Sequence, residues 1–326
     1  MKICIYGAGA GGGHFAVKLA RAGHDVSVIA RGPQLENIRK NGLRLLSGTD
    51  ALEAKVRASD DPSELGAQDT VIVAVKATAL AEIANKLAPL VGKTTNVVFP
   101  QNGIPWWYPS GLSATRPASP PLPAFSLAQH FFSFMRQEQV IGGIIYSANE
   151  IVAPGVIRNN SPGHNRVDIG TIDDRQTPVV VDLRNVLNDA GLLSKPVESI
   201  REAVWSKLLA NMSGSTIALV TRRKSSACRD DPAMCVVFRR LVCESAAIAA
   251  ANGFPLDFDP EAMLSRLADH KPSILQDYEQ SRQMEIAEIL LAPLAFARAA
   301  NIPTPTLDVF AALAKNMAAE RGLYIG

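Results

Sequence analysis

An N-terminal doubly wound parallel α/β sheet followed by an all-α C-terminal domain is the fold class that this 326-residue sequence predicts. Three observations lead there. An apolar strand from Lys2 to Tyr6 runs straight into the glycine-rich turn Gly7-x-Gly9-x-x-Gly12. Strand-like and helix-like stretches then alternate, as the layers of a parallel sheet require. At Ser199 the character changes, and almost everything beyond it has helical periodicity.

The first turn carries the most information. Gly7 permits the tight bend, Gly9 lets the backbone approach a pyrophosphate, and Gly12 lets the next helix pack close to the strand. Gly7, Ala8, Gly9, Ala10, Gly11 and Gly12 are therefore the expected phosphate cradle, with the helix N-terminus favouring the anion. The plain alternative is a flexible glycine turn with no ligand. Residues 14–22 continue as a helix with apolar Phe15, Val17, Leu19 and Ala20, and Gly23 supplies its stop. Residues 25–30 read as a second strand, completing a β-α-β unit of Rossmann type. At that strand's end a NAD enzyme usually places an acid on the ribose 2′-hydroxyl. Arg31 stands there instead, and a guanidinium suits a 2′-phosphate, so NADP(H) is favoured. A solvated surface arginine is the other reading of Arg31.

A helix is expected near 34–41, with short strands around 43–46 and 55–58. Residues 69–75 form a near-continuous apolar run, as in a parallel strand buried on both faces, with Lys76 at its carboxyl end. A helical pattern over 79–90 precedes another strand at 96–99, which ends in Pro100-Gln101-Asn102-Gly103. Ligands of such sheets bind outside the carboxyl ends of the strands, where Gly7–Gly12, Arg31, Lys76 and Asn102 all fall. Residues 105–123 hold six prolines behind Trp106-Trp107-Tyr108, and read either as a lid or as a disordered surface excursion. Strands resume at 140–147, 151–156 and 166–169, with a turn at Pro154-Gly155, and 179–189 reads as a helix ended by Gly191. Ser199 and Glu202 form a capping-box pattern. Helices are expected over 200–219, 232–252, 260–268, 272–300 and 305–320, which gives domains of 1–199 and 200–326.

Composition narrows the function classes. With 47% hydrophobic and 20% charged residues the chain has an ordinary globular make-up and can bury a sizeable core. A net charge of +2 supplies no electrostatic drive toward nucleic acid or an acidic membrane, and Arg222-Arg223-Lys224 reads as a solvated run. Cys4, Cys228, Cys235 and Cys243 lack metal-ligand spacing and read as buried free thiols of a reducing compartment. A strand beginning at residue 2 leaves no room for a signal peptide, and charges interrupt every long apolar run, so a cytoplasmic protein is expected. No metal site is expected.

Two clusters could carry chemistry. Lys207 and Asn211 lie four apart on a mostly apolar helix and project from one face. A protonated lysine can give its proton to an alkoxide forming at a carbonyl, and the amide can hold the substrate or the lysine. The bland alternative is a snorkelling lysine beside a solvent-facing amide. Ser273 and Glu285 form the second cluster, a donor for a carboxylate and an acceptor for a hydroxyl. Taken alone, they are ordinary polar residues of a helix.

Together these features resemble the ketopantoate reductase family. The likeness rests on GxGxxG with Arg31, Val75-Lys76-Ala77, Gln101-Asn102-Gly103, Trp205-x-Lys207 with Asn211, and Ser273-x-x-Gln276-Asp277 with Glu285, in the family's order over nearly the whole chain. The resemblance implies reduction of 2-dehydropantoate to pantoate with NADPH, in pantothenate biosynthesis. It also implies a Rossmann domain before a helical domain, with the active site in the cleft between them. By position it makes Lys207 the general acid, Asn102 and Asn211 substrate or cofactor contacts, Ser273 the carboxylate contact and Glu285 the partner of the substrate hydroxyl. Lys76 would lie near the cofactor.

Departures from the pattern are also legible. Ser215 and Thr216 stand where the family usually has a second Asn, often followed by Pro, and Ile274 replaces a usual Met. These positions are expected to line the substrate pocket. Two rival readings are a reductase of another 2-oxo or 3-oxo acid, and a non-catalytic NADPH-binding regulator. A small 2-oxo acid is the expected partner, a homodimer is kept open, and neither nucleic acid nor membrane is expected.

Overall fold

A computed structural model of the chain describes residues 1–267 and 269–324. The expected helix end at Ala268 and the expected domain end at Ile325 and Gly326 lie outside the described residues. Packing divides the chain into two compact units. Residues 1–101 with 126–200 form the first, and residues 102–125 with those from 201 onward form the second.

Strands β1 (Lys2–Tyr6) and β2 (Asp25–Ile29) flank helix α1 (Ala10–Arg21) in sequence. They are followed by α2 (Gly32–Asn41), β3 (Leu43–Ser47), β4 (Asp50–Ala54), β5 (Arg57–Ser59), β6 (Thr70–Val73), α3 (Leu80–Ile83) and β7 (Asn96–Phe99). The chain re-enters this unit at α4 (Leu127–Phe131) and adds β8 (Val140–Ile145), β9 (Asn149–Ala153), β10 (Val156–Asn159), β11 (Val167–Thr171) and α5 (Pro178–Asp189). The main sheet has seven strands in the order β11-β8-β7-β6-β1-β2-β5, parallel except for β11 against β8. Ile3, Cys4 and Ile5 of β1 are wholly buried, as expected of a central parallel strand covered on both faces. Each such isoleucine stabilises the fold by about 1.5–3 kcal/mol relative to an exposed one.

The first unit departs from the sequence reading in three places. The stretch 151–156 is two antiparallel strands, β9 and β10, reversed at Gly155 with φ +74°. With the β3–β4 hairpin they make a second sheet, β4-β3-β10-β9, in which β3 and β10 run parallel. The expected helix at 79–90 is α3 flanked by short 3₁₀ turns, the last of which contains Pro89. The capping box at Ser199 does not form. Ser199 Oγ is buried without a hydrogen-bond partner, and Asp174 instead accepts from the Ile200 N–H at 3.2 Å.

The second unit is helical. It contains most of α6 (Ile200–Ala210), then α7 (Thr216–Thr221), α8 (Pro232–Ala251), α9 (Pro260–Ser265), α10 (Ser273–Glu279), α11 (Ala292–Ala299) and α12 (Pro305–Glu320). A π-helical turn, Asn211–Ser215, separates α6 from α7, and another, Ala287–Leu291, precedes α11. The expected helix 272–300 breaks after α10, where Ser281 takes a left-handed φ of +51°. Arg282 returns to Asp277 through both a backbone and a side-chain hydrogen bond, each 2.9 Å, which fixes the break.

The proline-rich segment starts as core. Trp106, Trp107 and Tyr108 are at most 1% exposed, and Tyr108 packs edge-on against Trp205 and Phe296. Its aromatic end is therefore no surface excursion. Among the described residues no helix is long and apolar enough to cross a membrane, and no His, Cys, Asp or Glu group is placed to hold a metal ion. All four cysteines are free, but Cys243 is exposed rather than buried, and Cys228 sits in a 3₁₀ turn before α8. Burial pushes the Cys4 thiol up to about 12.

Candidate active site

In the first unit, the glycine turn lies where β1 meets β6, the point at which the strand order reverses. Gly7 has φ +100°, and a Cβ there would stand 2.6 Å from Val75 Cγ1. A Cβ on Gly12 would stand 1.8 Å from the Gly7 carbonyl oxygen, so both positions require glycine. A Cβ on Gly9 would meet nothing within 4 Å, which leaves the backbone open to a ligand. Gly9 is also the N-cap of α1, without a side-chain cap or an acid in the first turn, so no side chain competes for an anion there. The turn itself is tied down: Gln34 Nε2 donates to the Ala8 carbonyl at 2.6 Å, and Gln34 Oε1 accepts from the Gly155 N–H at 2.9 Å.

Arg31 is the N-cap residue of α2, and its side chain is 70% exposed. It is not simply solvated, because its guanidinium donates to Glu82 Oε1 at 2.6 Å. That hydrogen bond and charge hold the Glu82 carboxyl below its ordinary range. Lys76 is the half-buried N-cap of the 3₁₀ turn Ala77–Ala79, just past β6. Gln101 donates to the Val73 carbonyl at 2.6 Å and the Val75 carbonyl at 3.3 Å, joining the ends of β6 and β7. Its Oε1 is buried with no donor. A nicotinamide ring carries a carboxamide with N–H groups to offer such an atom. Open backbone at Gly9, an uncapped helix start and this acceptor fit a nicotinamide dinucleotide.

In the second unit, the segments that carry the expected substrate residues pack on one another. Asn102 opens the first, and Gly103 follows with φ +79°. A Cβ on Gly103 would meet the Glu288 backbone at 2.5 Å and its Cβ at 2.6 Å, while Ile104 N–H donates to the Glu288 carbonyl at 2.9 Å. The Asn102 turn is thus seated on Glu288. Lys207 and Asn211 come from α6 and the π turn after it. That π turn packs against both the Ala287–Leu291 turn and α10. Ser273 is the exposed first residue of α10, and Glu285 is buried beside the second π turn.

Electrostatics connect two of these segments. His270, three residues before Ser273, has its pKa lowered by burial and then by the charge of Lys207. The ammonium group and the start of α10 therefore share one corner of the unit. Burial also raises the Glu288 carboxyl, whose Oε2 is enclosed without a hydrogen-bond partner.

Helix α6 is held by residues that no motif singled out. Arg201 is wholly buried, donating from Nε to the Tyr108 carbonyl at 2.8 Å and from an η-nitrogen to the Ser110 carbonyl at 2.6 Å. Trp205 Nε1 donates to the Tyr108 hydroxyl at 2.7 Å, two residues before Lys207. Hydrogen bonds to a charged donor contribute about 1.5–3 kcal/mol each, so the helix carrying Lys207 is firmly registered. Thr216 turns out not to line a pocket. It is wholly buried, and its Oγ1 donates to the Asn211 carbonyl at 2.8 Å, filling the widened π turn. Gln276 and Asp277 likewise act as scaffold, binding the Lys271 carbonyl and Arg282. Gln34, Glu82, Arg201 and Glu288 had no signal beyond residue type, although Glu288 lies at helical spacing from Glu285.

Residues 3–174 match the family model for ketopantoate reductase PanE/ApbA, and residues 199–318 match that for its C-terminal domain. A 2-dehydropantoate 2-reductase from Mesorhizobium japonicum is 38% identical over 332 aligned positions, covering 99% of this chain and 100% of the relative. A solved ketopantoate reductase-like structure from Ralstonia solanacearum MolK2 superposes with a TM-score of 0.88 at 32% identity, covering 99% of both chains. D-mandelate dehydrogenase, solved with NADH and anilino(oxo)acetate, shares the fold with a TM-score of 0.83 at 20% identity, over 99% of this chain and 100% of that one.

Proposed function

The chain belongs to the ketopantoate reductase family and is an oxidoreductase acting on CH–OH groups; from that premise we propose that it reduces 2-dehydropantoate, or a closely related 2-oxo acid, with NADPH. The observation that carries the proposal is the packing of α10, which begins with Ser273, on the π turn that begins with Asn211, four residues after Lys207. A 2-oxo acid brings a carboxylate and an adjacent ketone, and that junction offers a hydroxyl for the one and a proton for the other.

Bound NADPH supplies the hydride that the ketone carbon accepts. Lys207 Nζ gives a proton to the oxygen as it becomes an alkoxide, and solvent then reprotonates the amine. Asn102 and Asn211 orient the substrate, Ser273 donates to its carboxylate, and Glu285 accepts from a hydroxyl on its carbon chain. Gly7 to Gly12 hold the pyrophosphate, Arg31 the 2′-phosphate, and Lys76 lies near the cofactor. A cytoplasmic protein, assembled as a homodimer, completes the proposal.

A second reading, reduction of a different 2-oxo acid, is favoured by Ser215, which stands where the family pattern carries a second amide. The test is a panel of 2-oxo acids assayed by NADPH oxidation with wild-type protein and Lys207→Ala. We expect 2-dehydropantoate to give the highest kcat/KM, and Lys207→Ala to lower kcat by about 10²–10⁴ with nucleotide affinity unchanged. A variant that works at the wild-type rate would refute the acid role. A better 2-oxo acid would move the second reading to the front.

A further inference from the structure

Glu288 is a buried carboxyl for which the reaction above has no use. Its Oε2 is enclosed with no hydrogen-bond partner, a costly state that natural proteins keep where it serves a purpose. Its surroundings are those of the substrate residues. Its Cβ faces the Asn102-Gly103-Ile104 turn, which is fastened to its carbonyl by the 2.9 Å bond from Ile104. Its own π turn packs on the π turn that begins with Asn211. It lies three residues past Glu285, which immediately precedes this helix. π-helical turns inside α-helices frequently mark functional sites, and here two of them meet.

We propose that Glu288 is a substrate-specificity residue whose Oε2 hydrogen-bonds a polar substituent on the carbon chain of the 2-oxo acid. The assignment rests on the 2-oxo acid reductase reading and deepens it by naming a further residue that reads the substituent on the carbon chain. Desolvation favours the neutral carboxyl. Oε2 can accept from the substituent's O–H, and burial makes the carboxyl hold its charge less readily than an exposed one. Glu285 and Glu288 then divide the work, one meeting the substituent from just before the helix and the other from within its π turn.

The test compares two substrates of one skeleton, 2-dehydropantoate and 3,3-dimethyl-2-oxobutanoate, which lacks the hydroxyl. Steady-state kinetics would be measured for wild type, Glu288→Gln and Glu288→Leu, with NADPH titration and thermal melting alongside. For Glu288→Leu we expect KM for the hydroxylated acid to rise about tenfold, the worth of one neutral hydrogen bond. Its KM for the plain acid should stay level or fall, with kcat and NADPH affinity unchanged. Glu288→Gln, which can still donate and accept, should stay close to wild type on both acids. Equal KM changes on the two acids, or a lower melting temperature with KM unchanged, would overturn the assignment and make Glu288 a packing residue. A wild-type protein that reduces neither acid would overturn the activity and the assignment together. The two failures are thus distinguishable.

Discussion

The proposed cofactor site and the proposed substrate site of this protein are built from different material. In the first unit the site is mostly backbone: a single turn, Gly7 to Gly12, shaped by what its residues lack. In the second unit it is side chains, brought from segments at 102–104, 207–211, 270–273 and 285–288. A backbone site is compact in sequence, because one turn and one helix start supply all the donors. A side-chain site can be scattered, because packing rather than chain order brings its members together. The first tolerates change only where no Cβ is added, and the second changes specificity one residue at a time.

Arg31 is the side chain of the cofactor half expected to read the 2′-phosphate, so removing it is the sharpest test of that contrast. Arg31→Ala should weaken NADPH about ten- to a hundred-fold, the worth of charge-assisted hydrogen bonds at roughly 1.5–3 kcal/mol. NADH should bind as before, since its ribose has no 2′-phosphate. Fluorescence titration of both nucleotides checks this, and equal losses would remove Arg31 from the site.

Gly12→Ala probes the backbone itself. Its Cβ has to find room 1.8 Å from the Gly7 carbonyl oxygen and 3.0 Å from Ala74 Cβ. Overpacking of this kind costs about 1–3 kcal/mol, and the turn must shift to relieve it. We expect a lower melting temperature and NADPH and NADH weakened alike, by about tenfold. A variant that loses NADPH alone would mean that the turn reads the 2′-phosphate, and the division drawn above would fail.

Glu82→Gln should have the smallest effect and the opposite sign. The carboxylate holds Arg31 at 2.6 Å in an exposed pair, which solvent screens and which contributes little on its own. It also places a negative charge near the proposed phosphate. Neutralising it should tighten NADPH by about two- to five-fold and leave NADH unchanged. Weaker NADPH binding would show that Glu82 positions the guanidinium rather than competing for it.

The same contrast explains what was legible in the sequence. The β1-α1-β2 unit, β6 and β7 announce themselves through local apolar runs and a glycine spacing that only one geometry satisfies. The second sheet does not, because β3 and β10 become neighbours only through tertiary pairing, and neither carries a mark of its partner. The break after α10 was hidden because Ser281, not a glycine, takes the left-handed conformation there. Lys207, Asn211, Ser273 and Glu285 stood out through their combined order along the chain, which a family pattern can register. Glu288, Gln34 and Arg201 could not, since what distinguishes them is an enclosed atom or a carbonyl far away in sequence.

The excursion of residues 102–125 into the helical unit also bears on how the chain is made. Trp107 and Tyr108, behind the equally buried Trp106, emerge from the ribosome long before Arg201, Trp205 and Phe296, against which those two pack. Until α6 follows, three large aromatic rings have no permanent cover, while the strand on either side already has sheet partners to find. Synthesis therefore passes through a stage with the α/β half assembling and a hydrophobic strap waiting, the sort of exposed intermediate that chaperones bind. A helical half cut out as residues 201–326 would begin life without its own centre. The six prolines of 105–123, stiffening the strap while it waits, restrict the collapsed arrangements open to it before its partners arrive.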